Sequence, residues 1–434
     1  MNYQVLSILL TLVATLLPAS HATAAPAGAW KVGDPIVNYW AGPGYPGGGP
    51  LDDAAAAQLV EGGWNMVWCN EKELDVAQRH GLRGLLTDPL LSAAAYENVL
   101  DDPVRREALD ALIARVRKHP SLYAYHLRDE PSAQHFAHLG KLVAYIRERD
   151  PAHFSYINLF PTYANNDQLG TKGATVEAYN KHIGQYVESV RPSLLSYDHY
   201  QLMNFGDGPQ YFLNLAIVRE KALAAGLPFM NIVQASCWVP DSAANPSAPR
   251  VPNGDEMSYL VYTTLAYGAQ GISYYVYCYP RHQGGIVRPD GTPTPLYHAL
   301  KSLNREFVAI ARELQPLKSL GAFHAGMQPP GVASLPEDAT YTLDPPVPPI
   351  DYTPGSRVQG ILLGYFGPRD DAKLGKKHVL VVNLDYKTER TVLLTGPSPL
   401  DVFDATTREW SPVNDSRVEL RLAGGGGTLV RVHP

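Results

Sequence analysis

From about residue 32 onward the chain alternates short apolar runs with longer stretches whose apolar positions recur every three to four residues. The short runs, rich in β-branched and aromatic residues, predict strands at Pro35–Trp40, Trp64–Cys69, Leu82–Thr87, Leu122–Leu127, Phe154–Phe160, Leu194–Tyr197, Phe229–Ala235 and Ile272–Cys278. The stretches between and after them predict helices at Asp52–Glu61, Glu73–His80, Pro103–Lys118, Ala133–Arg149, Thr175–Val190, Gln210–Ala225, Asp255–Tyr267 and Pro295–Leu314. Eight evenly spaced βα units in about 280 residues match a (β/α)8 TIM barrel, an α/β fold of roughly 250 residues. Even spacing favours closure over an open, doubly wound sheet. The pattern changes after about Leu320. Residues 328–356 are Pro-rich, and from Val358 six runs follow with turn signals and no helical stretch between them. These predict a C-terminal antiparallel β-sandwich at 358–434, joined by a linker at 321–357 to a barrel spanning 25–320. Val5–Leu17 is apolar and Ala22-Thr23-Ala24 suits a signal peptidase, so residues 1–24 read as a signal peptide and the protein as secreted or periplasmic. No later stretch reads as a membrane span.

Composition narrows the function classes. Of 434 residues 45% are hydrophobic and only 18% charged, with a net charge of -6, so no basic face is offered to nucleic acid. Three cysteines are too few for a disulfide scaffold, and their spacing excludes a CxxC metal site. They read as three thiols, with one pairing as the alternative. Tyrosine is over-used at 26, against 10 Phe and 6 Trp. Such rings either line a cleft for polar ligands or simply pack. Gly42–Gly47 fits G-x-G-x-x-G, but Gly48, Gly49 and Pro50 follow where a helix would have to open, so it reads as a loop on the rim. The chain has no P-loop, no HExxH and no GxSxG. His126, His199 and His282 carry no metal-binding spacing, and neither metal nor cofactor is expected.

Barrel chemistry sits where strands end. The predicted strand ends carry Asn38 and Trp40, Trp68 and Glu71, Asp88, Asp129 and Glu130, Asn158, Asp198 with His199 and Tyr200, Gln234 and Trp238, and Tyr277. Carboxylates, amides and aromatic rings on one rim suit a carbohydrate, whose apolar face stacks on rings and whose hydroxyls bond to amides and acids. Arg128-Asp129-Glu130-Pro131 is the most specific element. Adjacent acids at a strand end push each other's pKa upward. The structural alternative pairs Asp129 with Arg128 and uses Glu130 as a helix cap. Glu71 and Asp88 read as hydroxyl ligands or caps.

Asp129-Glu130-Pro131 after strand 4 resembles the Asn-Glu-Pro signature of the large (β/α)8 glycoside hydrolase clan, in which the Glu is the acid/base. The resemblance extends to HVLVVNLDY and LDVFDATTREW, similar to β-domains appended to such enzymes. It extends also to YLVYTTLAYGAQGISYYVY, distantly similar to strand 8 and its preceding helix in family 42 galactosidases. It implies Glu130 as proton donor. The clan's nucleophile Glu at the end of strand 7 is absent, since Asn231–Ser236 holds no carboxylate. Asp198, at the end of strand 6, is the replacement, and orienting His199 or an Arg is its structural alternative. The expected function is an exported glycoside hydrolase with Glu130 and Asp198 catalytic. The substrate-binding set would be Asn38, Trp40, Trp68, Glu71, Asp88, Asp129, Asn158, His199, Tyr200, Gln234, Trp238 and Tyr277. A non-catalytic carbohydrate-binding barrel and a metal-assisted barrel hydrolase or lyase are the alternatives.

Overall fold

A computed structural model describes residues 35–239, 245–369 and 377–433. The expected signal peptide lies outside these residues. Eight parallel strands form one sheet: β1 (Ile36–Trp40), β2 (Met66–Cys69), β3 (Arg83–Leu86), β4 (Leu122–Asp129), β5 (Phe154–Leu159), β6 (Leu195–His199), β7 (Phe229–Gln234) and β8 (Gly271–Tyr275). Their order is β1-β8-β7-β6-β5-β4-β3-β2, so the sheet curls into a barrel. The strands are apolar runs because each is covered by helices outside and packed side chains inside.

The helices are α1 (Asp53–Glu61), α2 (Leu74–Arg79), α3 (Pro89–Tyr96), α4 (Pro103–Val116), α5 (Phe136–Arg149), α6 (Asn166–Leu169), α7 (Thr175–Val190), α8 (Tyr211–Ala225), α9 (Gly254–Ala266) and α10 (Pro295–Leu314). Helix α3, absent from the sequence reading, starts where Asp88 accepts from the Leu90 N–H and Pro89 takes the first helical position. At the start of α9, Asn253 and Glu256 cap each other's backbone N–H groups. Among the described residues, no helix is long and apolar enough to cross a membrane. All three cysteines are free thiols, with Cys69 and Cys237 buried and Cys278 half-buried.

One seam closes without a ladder. Strands β1 and β2 are not adjacent in the hydrogen-bonded order, and side chains bridge them. Asn65 Oδ1 accepts from the Val37 N–H at 3.0 Å and from Arg83 Nη2 at 2.7 Å. Its Nδ2 donates to the Pro35 carbonyl at 3.2 Å. Arg83 reaches the same carbonyl at 2.7 Å, and the Trp68 indole N–H donates to the Tyr39 carbonyl.

The β body begins earlier than the sequence pattern suggested. Helix α10 leads straight into β9 (Leu317–Gly326), and β10 (Thr342–Asp344) lies inside the stretch expected to be linker. Strands β11 (Gly360–Pro368), β12 (His378–Asn383), β13 (Arg390–Thr395), β14 (Leu400–Asp404), β15 (Glu409–Pro412), β16 (Arg417–Leu422) and β17 (Gly427–Val432) complete it. One sheet runs β9-β11-β12-β17-β14-β15 and a smaller one β10-β13-β16. Ile361, Leu363 and Tyr365 of β11 face the smaller sheet, in a core with Val379, Leu394 and Leu422. Leu362 and Phe366, on the opposite face, join the core of the barrel. The large sheet is thus buried on both sides. Among the described residues, 358–433 contain no helix.

The seam makes a specific prediction. Asn65→Ala deletes three hydrogen bonds and leaves the Val37 N–H unpaired, which should lower unfolding free energy by about 1–3 kcal/mol. Asn65→Asp keeps the acceptor for Val37 and Arg83 and should lose less. Urea titrations of both variants measure the difference, and equal losses would remove Oδ1 from the seam's energetics.

Candidate active site

The site is built on the end of β4. Its pairing with β5 slips between His126 and Arg128, a bulge centred on Leu127. Beyond the bulge Arg128 points into the helix layer. Its Nη1 donates to the Ala95 carbonyl at 3.2 Å, and its guanidinium lies 4.0 Å from the centre of the Tyr96 ring. The one arginine beside the acid pair in sequence therefore does not neutralise it. Glu130 has φ +43°, left-handed for a residue that is not glycine and that precedes Pro131. Both properties disfavour that conformation, which is held by the Glu130 N–H donating to the Asn158 carbonyl at 2.9 Å.

Ladder register brings three strands to one level. Asp129 pairs with Asn158 across β4–β5, and Asn158 with Ser196 across β5–β6. Asp198 follows Ser196 by two residues and so shares its face. The Asn158 amide group donates to Asp129 Oδ1 at 3.1 Å and to Asp198 Oδ1 at 2.9 Å. Its oxygen accepts from the Ser196 hydroxyl at 3.0 Å, and that hydroxyl sits 2.8 Å from the Tyr156 hydroxyl. Because Ser196 gives its hydrogen to Asn158, Tyr156 donates to Ser196. The relay leaves only one orientation for the Asn158 amide.

The third acid completes the cluster. Burial raises Glu130 well above the ordinary glutamate range, with Asp198 and Asp129 adding repulsion and a hydrogen bond shared with Asp198. Burial also raises Asp198, helped by Asp129 and opposed by Asn158 and the Tyr200 hydroxyl. Asp129 is pushed by burial to about 6, against the Asn158 hydrogen bond. Asp129 remains open to water through the mouth of the cleft, although protein surrounds it on most sides.

The cleft holds about 300 Å³ and is lined by Trp40, Asn158, Tyr163, Gln168, Ile232 and the three acids, with Tyr200, Trp238 and Tyr275 forming one wall. The rings of that wall lie 4.8 Å apart for Tyr200–Trp238 and 5.1 Å for Tyr200–Tyr275. No Lys or Arg is among the lining residues. Tyr45, from the Gly-rich loop after β1, packs 5.9 Å from Trp40 and 4.8 Å from Trp68. Gly44 beneath it has φ +76°, and a Cβ there would meet the Trp68 carbonyl oxygen at 1.9 Å, so only glycine fits. Two other cavities, of about 240 and 450 Å³, lie at the foot of β7 against β9 and within the β body. Among the described residues neither has a carboxyl group in its lining, whereas a further cavity of about 370 Å³ between α9, α10 and the β body includes Glu306 and Asp404.

Of the residues singled out from the sequence, Trp40, Asp129, Glu130, Asn158, Asp198, Tyr200 and Trp238 meet in this cleft. The others are placed elsewhere. Asn38 and Trp68 are buried inside the barrel below the mouth. Glu71 is on the surface, paired with Arg115 at 2.7 Å. Asp88 caps α3. His199 turns outward, with Nδ1 2.9 Å from Asn214 Oδ1. Gln234 pins the loop after β6, its amide bonded to both the Leu202 N–H and the Leu202 carbonyl. Tyr277 donates to Gln58 of α1 at 2.8 Å. Acids at strand ends also serve as caps and surface ion pairs, and strand parity decides which rings face the mouth. Tyr163, Gln168, Ile232 and Tyr275 were not in the expected set. Tyr275 carried a signal, being on the same face of β8 as Ser273 and level with Trp40 across β1–β8. The three histidines do not converge, and among the described residues no group of three or more His, Cys, Asp or Glu is placed to hold a metal.

No protein-family model matches the chain, and no curated protein is similar to it in sequence. Its overall course is similar to solved glycosidase barrels. One is a β-galactosidase from the haloarchaeon Halorubrum lacusprofundi, 10% identical, covering 91% of this chain and 99% of that one, with a TM-score of 0.49. Another is a β-L-arabinopyranosidase from Geobacillus stearothermophilus, 10% identical, covering 96% and 100%, with a TM-score of 0.44. A third is xylanase 10B from Thermotoga maritima, 10% identical, covering 64% and 96%, with a TM-score of 0.41.

The acids should leave a mark on stability. Asp129 sits at about 6 in the fold, raised from 3.8. The folded state therefore binds its proton more tightly, and the stability this contributes is present at low pH and lost as pH rises through about 6. Asp129→Asn removes that titration while keeping an acceptor for Asn158. Its melting temperature should exceed the parent's at pH 8 and gain less at pH 4. A gain that does not change with pH would contradict the raised pKa.

Proposed function

We propose that the protein is an exported glycoside hydrolase that cleaves O-glycosidic bonds of an oligo- or polysaccharide, with Glu130 as proton donor and Asp198 as the partner carboxylate. The observation that carries this reading is the convergence of Glu130 and Asp198 on Asn158, one at its carbonyl and one at its amide, in a cleft walled by aromatic rings. A glycosidic oxygen leaves poorly unless protonated, and the raised pKa keeps the proton on Glu130 near neutral pH. Both acids approach the same residue, Glu130 through its N–H to the Asn158 carbonyl and Asp198 through the Asn158 amide, and we read this close pairing as that of double-displacement enzymes rather than the wider pairing of inverting ones. In the first step Asp198 forms a bond to the anomeric carbon as Glu130 gives its proton to the departing oxygen. In the second, ionised Glu130 takes a proton from water, which displaces Asp198 and releases the sugar.

Asp129 and Asn158 grip sugar hydroxyls in this reading, and Trp40 and the Tyr200–Trp238–Tyr275 wall take the apolar face of the ring. Gln234 stands where the Asn-Glu-Pro clan has its nucleophile and is occupied with Leu202, so Asp198 takes that part. Export rests on the 1–24 pattern.

Glu130→Gln should reduce turnover of natural glycosides by about 10²–10⁴-fold, the usual contribution of a general acid. The loss should be much smaller on aryl glycosides whose activated phenol leaves without a proton. Asp198→Asn should abolish turnover of both with little change in melting temperature. Equal losses for Glu130→Gln on the two substrate types would remove it as the acid. Sugar binding by the parent without turnover would instead identify a non-catalytic carbohydrate-binding barrel.

A further inference from the structure

The loop after β6 ties the cleft to the β body. Tyr200, in the aromatic wall, is followed by a short hairpin in which Leu202–Met203 pairs with Gly206–Asp207. On the barrel side Gln234 holds Leu202 through two hydrogen bonds, at 2.9 and 2.8 Å, and reaches the Arg250 carbonyl at 2.6 Å. On the other side the Asp207 N–H donates to the Gly355 carbonyl at 3.3 Å, and the Tyr386 hydroxyl donates to Asp207 Oδ1 at 2.8 Å. Gly206, at φ +134°, lies so close to Gly355 that a Cβ would meet its carbonyl oxygen at 1.9 Å.

Tyr386 is itself fixed. Its ring lies 5.5 Å from that of Tyr259 on α9, and the Arg357 guanidinium, paired with Asp385 at 2.8 Å, is 5.8 Å from its centre. Asp207 is buried, and its Oδ2 has no hydrogen-bond partner. The Tyr386 hydroxyl is the side-chain donor that meets this carboxylate, so deleting it leaves a buried charge poorly satisfied and the hairpin free to shift.

We propose that Tyr386 is a positioning residue for the cleft: through Asp207 it holds the hairpin that keeps Tyr200 against Asp198 and within the aromatic wall. The consequence for turnover rests on the glycosidase reading, whereas the consequence for the geometry of the wall does not. In the full-length protein, Tyr386→Phe should lower kcat on an aryl glycoside by about five- to twentyfold and change KM less than threefold. It should also move the acid limb of the kcat/KM profile upward. That limb reports Asp198, which Glu130, Asp129, Tyr163 and Tyr200 all face, and a looser Tyr200 hydroxyl leaves it easier to protonate. Asp207→Asn, which still accepts from Tyr386, should stay within twofold of the parent. Trp238 emission, taken as the difference from Trp238→Phe, should shift in Tyr386→Phe and not in Asp207→Asn. Should Tyr386→Phe fail to fold, Asp207→Ser, whose shorter side chain falls short of Tyr386, should give the same pattern. The proposal is overturned if the folded Tyr386→Phe protein keeps its kcat within twofold with an unmoved acid limb and unchanged Trp238 emission. It is equally overturned if Asp207→Asn falls as far as Tyr386→Phe. A shift in Trp238 emission together with full activity in Glu130→Gln would uphold the positioning and sink the glycosidase assignment.

Discussion

Three carboxyl groups crowd one end of the barrel, and a single amide makes the crowding tolerable. Asn158 has two hydrogens and gives one each to Asp129 and Asp198. Its oxygen is held by Ser196, and Ser196 by Tyr156. An aspartate in its place would add a fourth acid and remove both donors, whereas an aliphatic residue would leave two ionisable groups facing each other with no donor between them. The relay works because Asp129, Asn158 and Ser196 are cross-strand neighbours on β4, β5 and β6. Register therefore comes before electrostatics here, and the helices that clamp the strands act indirectly on the acidity of the site.

Much of the architecture was legible because a parallel strand buried on both faces must be an apolar run, and a helix lying on the sheet must be amphipathic. Eight repetitions of that contrast are hard to mistake. The places where the reading slipped have the opposite character. Strand β9 reads Leu-Lys-Ser-Leu-Gly-Ala-Phe-His-Ala-Gly, mostly small and polar, and resembles the end of a helix running into a linker. Helix α3 has only eight residues, too few to show a helical period in the sequence. At the site, Asp129, Glu130 and Asp198 stood out as acids at strand ends. The bulge at Leu127 did not, and the bulge decides that Arg128 leaves the cluster. Glu71 and Asp88 had the right chemistry at the right ends, but other partners claimed them: Arg115, far along the chain, for one, and the nearby Leu90 N–H at the start of α3 for the other. Tyr163 and Gln168 reach the cleft from a loop and a one-turn helix, where no period points to a direction.

The backbone at Glu130 combines a left-handed φ with a following proline, two features that oppose each other in an isolated peptide. The folded barrel imposes the combination through the carbonyl of Asn158, the same residue whose side chain serves the aspartates. One asparagine thus fixes the geometry of the third acid with its main chain and of the other two with its side chain.

The large sheet of the β body presents Ile361, Leu363 and Tyr365 to its own partner sheet and Leu362 and Phe366 to the barrel. Strand parity divides these residues, so alternate positions along β11 answer to different neighbours. An appended module acquired by gene fusion ordinarily keeps a polar outer face and can be shuffled between hosts. Here no position from Ile361 to Leu363 is spare, and a lineage that lost or exchanged the β body would have to re-solve the barrel's flank in the same event. The two parts are expected to descend together, with paired substitutions accumulating across β11 rather than within either part alone.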